Sequence, residues 1–162
     1  MYSSDNSYPG KNYSFEIGEI KYDETQRHHS FHAAKNYDKG DLIISFSASS
    51  VQENPDRFTV QINKNKHMVL EPDYLKYLNH SCEPNCFIDV DNFQLIAIIP
   101  IKKGDELTFF YPSTEWDMSE PFECHCSTAA CLQKIQGAAH ITLNTLKRYQ
   151  LSSFIQQKIN TQ

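Results

Sequence analysis

Turn-forming residues recur about every ten positions along the chain, and the segments between them are short and apolar. Residues 42–46 form a nearly continuous apolar run, which is typical of a buried strand. Apolar and polar residues alternate over 58–62, as in a half-exposed strand. The runs at 86–90 and 93–99 meet at an Asp-Asn pair and predict a hairpin. This pattern predicts a mainly β domain.

The tripeptide Lys-Gly-Asp occurs twice, at 39–41 and at 103–105. Each copy directly precedes an apolar segment, 42–46 in the first case and 107–110 in the second. Because glycine readily forms tight turns, both copies are interpreted as turns that introduce a strand.

The two ends of the chain depart from the strand pattern. Residues 1–13 are rich in Ser, Asn and Tyr and are expected to form a loose arm, with a first strand at 15–22. From residue 138 the apolar residues recur at helical spacing. One or two amphipathic helices that cover the β-domain are expected there.

Composition restricts the classes of function. The chain has 162 residues, enough for one domain with a core that needs no disulfides. Its net charge is −5 and no cluster of Lys and Arg stands out, which disfavours nonspecific nucleic-acid binding and suits a basic partner. No apolar run reaches the roughly 18 residues of a membrane span, and the N-terminus lacks the apolar core of a secretory signal. An intracellular location, cytoplasmic or nuclear, is expected.

Residues 79–85 are dense in polar and ligand-type side chains, although the preceding residues 74–78 have the pattern of a half-buried helical turn. Asn, His, Ser and Cys make directional hydrogen bonds and bind soft metals. Polar loops of this kind often hold a binding or catalytic site. The simpler interpretation is a turn that contains a free cysteine.

The five cysteines are Cys82, Cys86, Cys124, Cys126 and Cys131. An odd, clustered set without a secretory signal favours a metal site over a disulfide framework. The last three place three soft ligands within eight residues, and zinc requires four. The fourth could be Cys82, Cys86 or His125. A fully ligated zinc would have a structural role, since no coordination position remains for water.

Three histidines lie within residues 28–32. His28 and His32 would share one face only if the segment were helical, and its neighbours have the pattern of strands. A metal site is therefore not expected here.

Three segments together resemble SET-domain protein-lysine methyltransferases. Residues 79–85 are similar to the family's Asn-His-Ser-Cys-x-Pro-Asn segment, and residues 104–111 to its Gly-Glu-Glu-Leu-Thr-x-x-Tyr segment. The cysteines at 124, 126 and 131 are similar to its post-SET cysteines, and the order and spacing of all three segments agree.

The resemblance implies the family's knotted β-fold of short strands, with a small C-terminal zinc knot and a C-terminal helix. The expected organisation is an N-terminal arm and first strand at 1–25, the SET domain at 26–121, the post-SET zinc segment at 122–137 and a C-terminal helical extension at 138–162. The first and last of these segments lie outside the resemblance. The implied activity is methyl transfer from S-adenosylmethionine to a lysine side chain of a protein or peptide, for which a histone tail is one candidate.

The resemblance also assigns site residues. Tyr111 is the implied active-site tyrosine, and Phe109 falls where the family's choice of Phe or Tyr affects how many methyl groups are added. The residues implied to bind the methyl donor are His29, Phe31, Lys76, Asn79, His80 and Tyr111. The candidates for an apolar substrate channel are Tyr77, Phe109, Phe110 and Trp116. The implied ligands of one structural zinc are Cys82, Cys124, Cys126 and Cys131.

The sequence departs from the family in places that concern cofactor binding and catalysis. His28-His29-Ser30 stands where the family has Gly-x-Gly next to the methyl donor, and Phe110 stands where many members have Asp. Because glycine permits close backbone approach, the first change alters the expected donor bay. A catalytically inactive SET-fold protein that binds a peptide or protein is therefore the alternative. A zinc-dependent nucleic-acid binder is a further alternative, which the acidic net charge disfavours.

Overall fold

The computed structural model describes residues 8–161, and the strands and helices within this range are short. The strands are β1 Tyr13–Ser14, β2 Gly18–Asp23, β3 His28–Ala33, β4 Leu42–Ser45, β5 Ser47–Gln52, β6 Thr59–Asn63, β7 Lys66–Glu71, β8 Asn79–His80, β9 Cys86–Asp89, β10 Gln94–Ala97, β11 Thr108–Phe109, β12 Phe122–Glu123 and β13 Lys134–Ile135. The α-helices are α1 Leu143–Leu146 and α2 Ser153–Asn160, and 3-10 helices lie at Asp73–Tyr77, Tyr111–Ser113 and Ala138–His140. The prediction of a mainly β domain with a C-terminal helix is confirmed.

The strands form small sheets in the orders β1-β2-β3, β5-β7-β6 and β4-β10-β9. Two further pairs are β12 with β13, which is antiparallel, and β8 with β11, which is parallel. Between residues 86 and 97, β9 and β10 form the predicted antiparallel hairpin. A single large cluster of buried apolar side chains joins the three-stranded sheets.

The predicted first strand at 15–22 is wrong in its boundaries. The chain turns at 15–17, where the amide of Phe15 donates to the carbonyl of Gly18, and the strand splits into β1 and β2. At Gly18 a Cβ would lie 2.4 Å from the carbonyl oxygen of His32 in the paired strand β3. Only glycine permits this close approach. The expected loose arm lies partly on residues 1–7, outside the described residues.

The two Lys-Gly-Asp segments form matching turns. Gly40 and Gly104 have φ of 97° and 91°, a conformation that favours glycine. In each turn the aspartate that follows glycine accepts a backbone hydrogen bond three residues back, at 2.7 Å from Asp38 to Asp41 and 2.9 Å from Lys102 to Asp105. The first turn directly precedes β4 and the second precedes the segment that leads to β11, as the sequence predicted.

The C-terminal residues form a second layer. Side chains of both helices pack with Phe110 and Trp116 in a separate apolar cluster. Thr142 and Ser152 cap the two helices, because their hydroxyl oxygens accept hydrogen bonds from the amides of Thr145 and Ile155. The predicted amphipathic helices are confirmed, and they cover the β-domain.

Candidate functional site

The two polar segments that the sequence singled out meet in parallel. Strand β8 pairs with β11, with Asn79 opposite Thr108 and His80 opposite Phe109. The amide of Ser81 then donates to the carbonyl of Phe109 at 3.1 Å. This pairing brings residues about thirty positions apart in the chain onto one wall of a cavity.

Two asparagines fasten these segments together through their side chains. The amide nitrogen of Asn79 donates to the Glu106 carboxylate at 2.7 Å and to the His29 carbonyl at 3.0 Å. The Asn85 side chain donates to the Glu106 carbonyl at 2.7 Å and accepts from the Thr108 amide at 2.9 Å. The Asn79 and Asn85 side chains thus form their hydrogen bonds within the protein, and these bonds hold the local backbone in place.

Tyr111 begins the 3-10 helix after β11 and is held at both ends. Its hydroxyl donates to the Leu78 carbonyl at 2.9 Å, and its backbone amide donates to Nδ1 of His80 at 3.2 Å. The Phe109 ring lies 4.7 Å from the Tyr111 ring. Burial raises the pKa of the Tyr111 hydroxyl, while Arg57 lowers it more weakly and the carboxylates of Glu106 and Glu115 raise it. The hydroxyl therefore stays protonated at neutral pH.

His80 connects the tyrosine to the cysteines. Because Nδ1 accepts from Tyr111, the ring proton of the neutral imidazole is on Nε2, which lies 3.3 Å from the Cys82 sulfur. Burial lowers the pKa of His80 to about 4, so the ring is neutral in this environment. Its side chain is therefore engaged within the protein.

A cavity of about 790 Å³ opens beside these segments. Several residues proposed from the sequence line it, namely Lys76, Asn79, His80, Phe109 and Tyr111. It is large enough for a drug-sized ligand, since such pockets span roughly 300–1,000 Å³. The cavity is therefore the candidate functional site.

His29 and Phe31 were expected at the methyl donor, but their side chains do not line this cavity. Alternate residues of β3 face opposite sides, and it is His28 and Ser30 that line the cavity. The His29 ring instead packs 4.6 Å from the Tyr77 ring, and the fully buried Phe31 stacks on Tyr74. His28 and Ser30, which replace the two glycines of the family's segment, are thus the residues of this strand whose side chains line the cavity.

The channel candidates divide in the same way. Phe109 lines the cavity, while the next residue, Phe110, points into the C-terminal layer and stacks on Tyr149. Trp116 also packs in that layer, under the Lys158 ammonium at 4.9 Å. Tyr77 is buried in the main core. None of these three aromatic residues lines the cavity. Phe109 and Phe110 differ because consecutive residues of extended chain face opposite sides.

Some cavity residues were not identified from the sequence. The most informative are Glu115, Arg57 and Glu106, each of which places a charged group on the cavity wall. Ser30 and His28 could have been found from strand alternation. Glu115 gave no signal, because its contact with Gln61 joins positions 54 residues apart.

Four cysteines form a compact group. The sulfurs of Cys82, Cys124, Cys126 and Cys131 all lie within 4.8 Å of one another, and the Cys82–Cys124 distance is 3.9 Å. Zinc–sulfur bonds of about 2.3 Å place tetrahedral ligands roughly 3.8 Å apart, so this set fits a zinc ion. Burial raises the pKa of Cys82 to about 11, so a bound cation would be needed to ionise all four thiols.

Cys86 lies outside this group. Its thiol is buried in the main core and donates to the Asn85 side chain at 3.4 Å. Among residues 8–161, the four-cysteine cluster is the one group of three or more His, Cys, Asp or Glu side chains with metal-binding geometry, so the histidines at 28–32 form no such group. None of the helices in this same range is long and apolar enough to cross a membrane.

Known proteins are similar to this chain in sequence. The chain is 45% identical over 83 residues to Methyltransferase flvH of Aspergillus flavus, with 50% of this chain and 47% of that protein covered. It is 28% identical over 122 residues to human Histone-lysine N-methyltransferase 2D, with 62% of this chain and 2% of that protein covered. The aligned part thus spans about half the length of the first relative and a small part of the second.

A solved structure shows the same fold. The crystal structure of KRYPTONITE in complex with mCHG DNA and SAH matches with a TM-score of 0.53 and 18% identity, covering 65% of this chain and 26% of that one. The family model described as SET domain matches residues 12–112, which is more than half of the chain. The matched range includes β8, β11 and Tyr111, and the protein therefore belongs to the SET-domain family.

Proposed function

We propose that this protein is an S-adenosylmethionine-dependent methyltransferase that acts on the side-chain amine of lysine in a protein substrate. The observation that carries the proposal is the parallel pairing of β8 and β11, which brings Asn79, His80 and Tyr111 to one cavity. The relatives named as methyltransferases, including a histone-lysine enzyme, support the reaction class.

The cavity suits the methyl donor in size and in lining. Backbone at Asn79 and His80 and the side chains of Lys76 and Ser30 are the groups that would hold it. S-adenosylmethionine supplies a methyl group on a positively charged sulfur. Glu106, whose carboxylate is anchored by Asn79 at 2.7 Å, adds negative charge to the same wall, which favours a cationic ligand.

The acceptor amine must be neutral to attack. A free lysine has a pKa near 10.4, so neutralising it at pH near 7.4 costs about 4 kcal/mol. The apolar surface of Phe109, Phe58 and Leu78 on the cavity wall favours the uncharged form. The Tyr111 hydroxyl, whose position is fixed by Leu78, would orient the amine, and alignment of the reacting atoms then supplies much of the rate.

The charge of the cavity favours a basic protein substrate. Carboxylates are more numerous than Lys and Arg side chains along its wall: Asp23, Asp56, Glu106, Glu115, Glu120 and Glu123 against Arg57 and Lys76. Such a surface attracts Lys- and Arg-rich segments and raises their rate of encounter. Histone tails have this chemistry, and they are the first substrates to test.

The cysteine cluster has a structural part in this proposal. One zinc ion on Cys82, Cys124, Cys126 and Cys131 would join the post-SET segment at 122–137 to the loop that follows β8. Since Phe122, Cys124 and Cys126 line the cavity, the metal would hold one cavity wall in place. Residues 26–121 would form the SET domain proper, and 138–162 its C-terminal extension.

Direct binding tests the cofactor assignment. Calorimetric titration with S-adenosylhomocysteine should show one site, and Ser30→Phe should abolish binding because the larger ring fills the bay. Ser49→Phe, on an exposed strand away from the cavity, is the matched control. No measurable affinity in the zinc-loaded parent protein would remove the proposal and favour a peptide-binding module instead.

Substrate identity needs a second experiment. The protein is incubated with isotopically labelled S-adenosylmethionine and either core histones or a cell lysate, and mass spectrometry locates the label. Label on lysine is expected. Label confined to another residue type would refute the lysine assignment while leaving methyl transfer intact.

A further inference from the structure

Glu115 is a carboxylate in the cavity wall that the proposed reaction does not yet use. Its backbone is fixed on both sides: its amide donates to the Tyr111 carbonyl at 3.1 Å, and its carbonyl accepts from the Ala138 amide at 2.8 Å. Its side chain lines the same cavity as Tyr111 and Phe109. A charged group is thus held rigidly beside the candidate active-site tyrosine.

The two carboxylate oxygens have different surroundings. Oε1 accepts hydrogen bonds from the Gln61 amide at 2.8 Å and from the Thr114 hydroxyl at 3.1 Å. Within residues 8–161, Oε2 has no hydrogen-bond partner, and Glu115 forms no ion pair. Oε1 therefore orients the group, and Oε2 remains available to a ligand in the cavity.

The surroundings also make Glu115 a better base than a surface glutamate. Burial raises its pKa to about 7, although the hydrogen bonds from Gln61 and Thr114 act in the opposite direction. Burial keeps His80 on this cavity wall neutral. The other titratable groups that line the cavity are Tyr111, the cations Arg57 and Lys76, the carboxylates of Asp23, Asp56, Glu106, Glu120 and Glu123, the imidazoles of His28 and His125, and the thiols of Cys124 and Cys126. An acid–base catalyst works best when its pKa lies near the working pH.

We propose that Glu115 accepts the proton that the substrate lysine must lose before it attacks. This inference rests on the proposed function and adds a base to it. The carboxylate first attracts the lysine ammonium into the cavity. An N–H bond of the ammonium breaks, an O–H bond forms at Glu115, and the lone pair stays on the nitrogen.

The remaining step balances without a further reactant. The nitrogen lone pair forms the new bond to the methyl carbon, the carbon–sulfur bond breaks, and its electrons stay on sulfur as a neutral thioether. The product amine is a methylammonium, and Glu115 releases its proton to water when the cavity opens. The advantage over release to bulk water is that the acceptor is already in place when the donor and substrate close the cavity.

Glu115→Gln is the informative variant, because it keeps an acceptor oxygen for Gln61 and Thr114 and removes only the basicity. Glu53→Gln, an exposed residue outside the cavity, is the control for loss of one carboxylate. Rates are measured on a core histone whose acceptor is lysine and on the same histone with aminoethylcysteine, a less basic amine, at that position.

The expected result for Glu115→Gln is a loss of about 100-fold on lysine, as removal of a general base typically produces, and a clearly smaller loss on the less basic amine. Affinity for S-adenosylhomocysteine and zinc content should match the parent. Equal losses on both amines, or an unchanged rate on lysine, would overturn the role, since a merely structural residue does not respond to substrate basicity.

A measurement without substrate separates this inference from the proposed function. The Glu115 carboxyl is followed by carbon-13 NMR in the zinc-loaded protein, with Glu115→Gln to assign the signal. Titration near pH 7 is expected, and titration below pH 5 would overturn the inference even if the enzyme is active. A parent protein that titrates as expected and methylates no amine would instead refute the proposed function.

Discussion

Tyr149 lies flat against Phe110, with ring centroids 3.6 Å apart and planes 4° apart, and its hydroxyl donates to the Cys82 carbonyl at 2.8 Å. Tyr149, in the C-terminal layer, therefore contacts both Phe110, which precedes Tyr111, and the candidate metal ligand Cys82. The family match ends at residue 112, so Tyr149 lies outside the matched range, whereas its partners Phe110 and Cys82 lie inside it. The C-terminal layer is consequently part of the support for the site.

Replacement of Tyr149 tests this support. Tyr149→Ala should lower the free energy of unfolding by roughly 2–4 kcal/mol, because it removes a stacked, half-buried ring. Tyr149→Phe keeps the stack and should cost only about 1 kcal/mol for the lost hydrogen bond. Chemical denaturation of both variants measures the difference. Equal costs would mean that the stack contributes little.

The fold class and several individual elements followed from local signals in the sequence. The Lys-Gly-Asp turns, the hairpin of β9 and β10, and the C-terminal helices all depend on residues a few positions apart. The boundaries of β2 did not follow, because Gly18 is required by the His32 carbonyl of a neighbouring strand. Such a close approach has no local signature.

In the candidate site, too, some residues could be predicted from local sequence and others could not. Motif spacing identified Asn79, His80 and Tyr111, and the structure brings all three to the cavity. Which aromatic side chains face that cavity depends on the register of each strand, and a one-residue error reverses the assignment. This is why Phe109 lines the cavity and Phe110 does not. Glu115 was missed because only the folded chain brings Gln61 to it.

The metal prediction separates Cys86 from the other cysteines. Freshly purified protein should contain one equivalent of zinc, and Cys126→Ser should lose it together with ordered structure at 122–137, since coordination energy holds such segments folded. Cys86→Ala should keep the full equivalent, because its thiol lies in the main core. Metal analysis of the two variants is the measurement. Zinc loss in Cys86→Ala would contradict the ligand assignment.

The product prediction concerns Phe109, whose ring borders the cavity next to Tyr111. Phenylalanine cannot hydrogen-bond a methylated amine, so the amine can rotate and accept another methyl group. The parent enzyme should add more than one methyl group, and Phe109→Tyr should shift the product towards monomethyl-lysine. Mass spectrometry of the modified peptide measures the distribution. An identical distribution in both enzymes would refute the role of this position.

Stability should depend on pH through Glu115. Its pKa is raised from 4.5 to about 7 in the folded protein, so the unfolded chain ionises first as pH rises. Between these values the folded state binds more protons, and the free energy of unfolding therefore falls with increasing pH. Glu115→Gln removes this effect and should be more stable than the parent at pH 8, by roughly 1–3 kcal/mol, with little difference near pH 4.5.

Thermal unfolding of parent and variant at both pH values tests this dependence. Glu53→Gln again serves as the control, because an exposed carboxylate should show no such difference. A Glu115→Gln protein that gains nothing at pH 8 would mean that the carboxylate is not destabilised by its burial.

The catalytic assignment depends on Tyr111. Its hydroxyl donates to the Leu78 carbonyl, an arrangement that suits a catalytic tyrosine and a structural one alike. Tyr37→Phe is the matched control, because Tyr37 is a buried tyrosine of the main core whose hydroxyl also faces a backbone carbonyl, that of Ile17, at 3.5 Å. Both substitutions should cost only about 1 kcal/mol of stability.

Activity per folded molecule distinguishes the two roles. Tyr111→Phe should retain its fold and zinc but lose roughly a hundredfold or more in methyl transfer, as removal of a positioned polar group from a closed site does. Tyr37→Phe should methylate at close to the parent rate. Single-turnover rates with labelled donor measure both variants. If Tyr111→Phe remains as active as Tyr37→Phe, the tyrosine is structural, and the catalytic role must be assigned to another cavity residue.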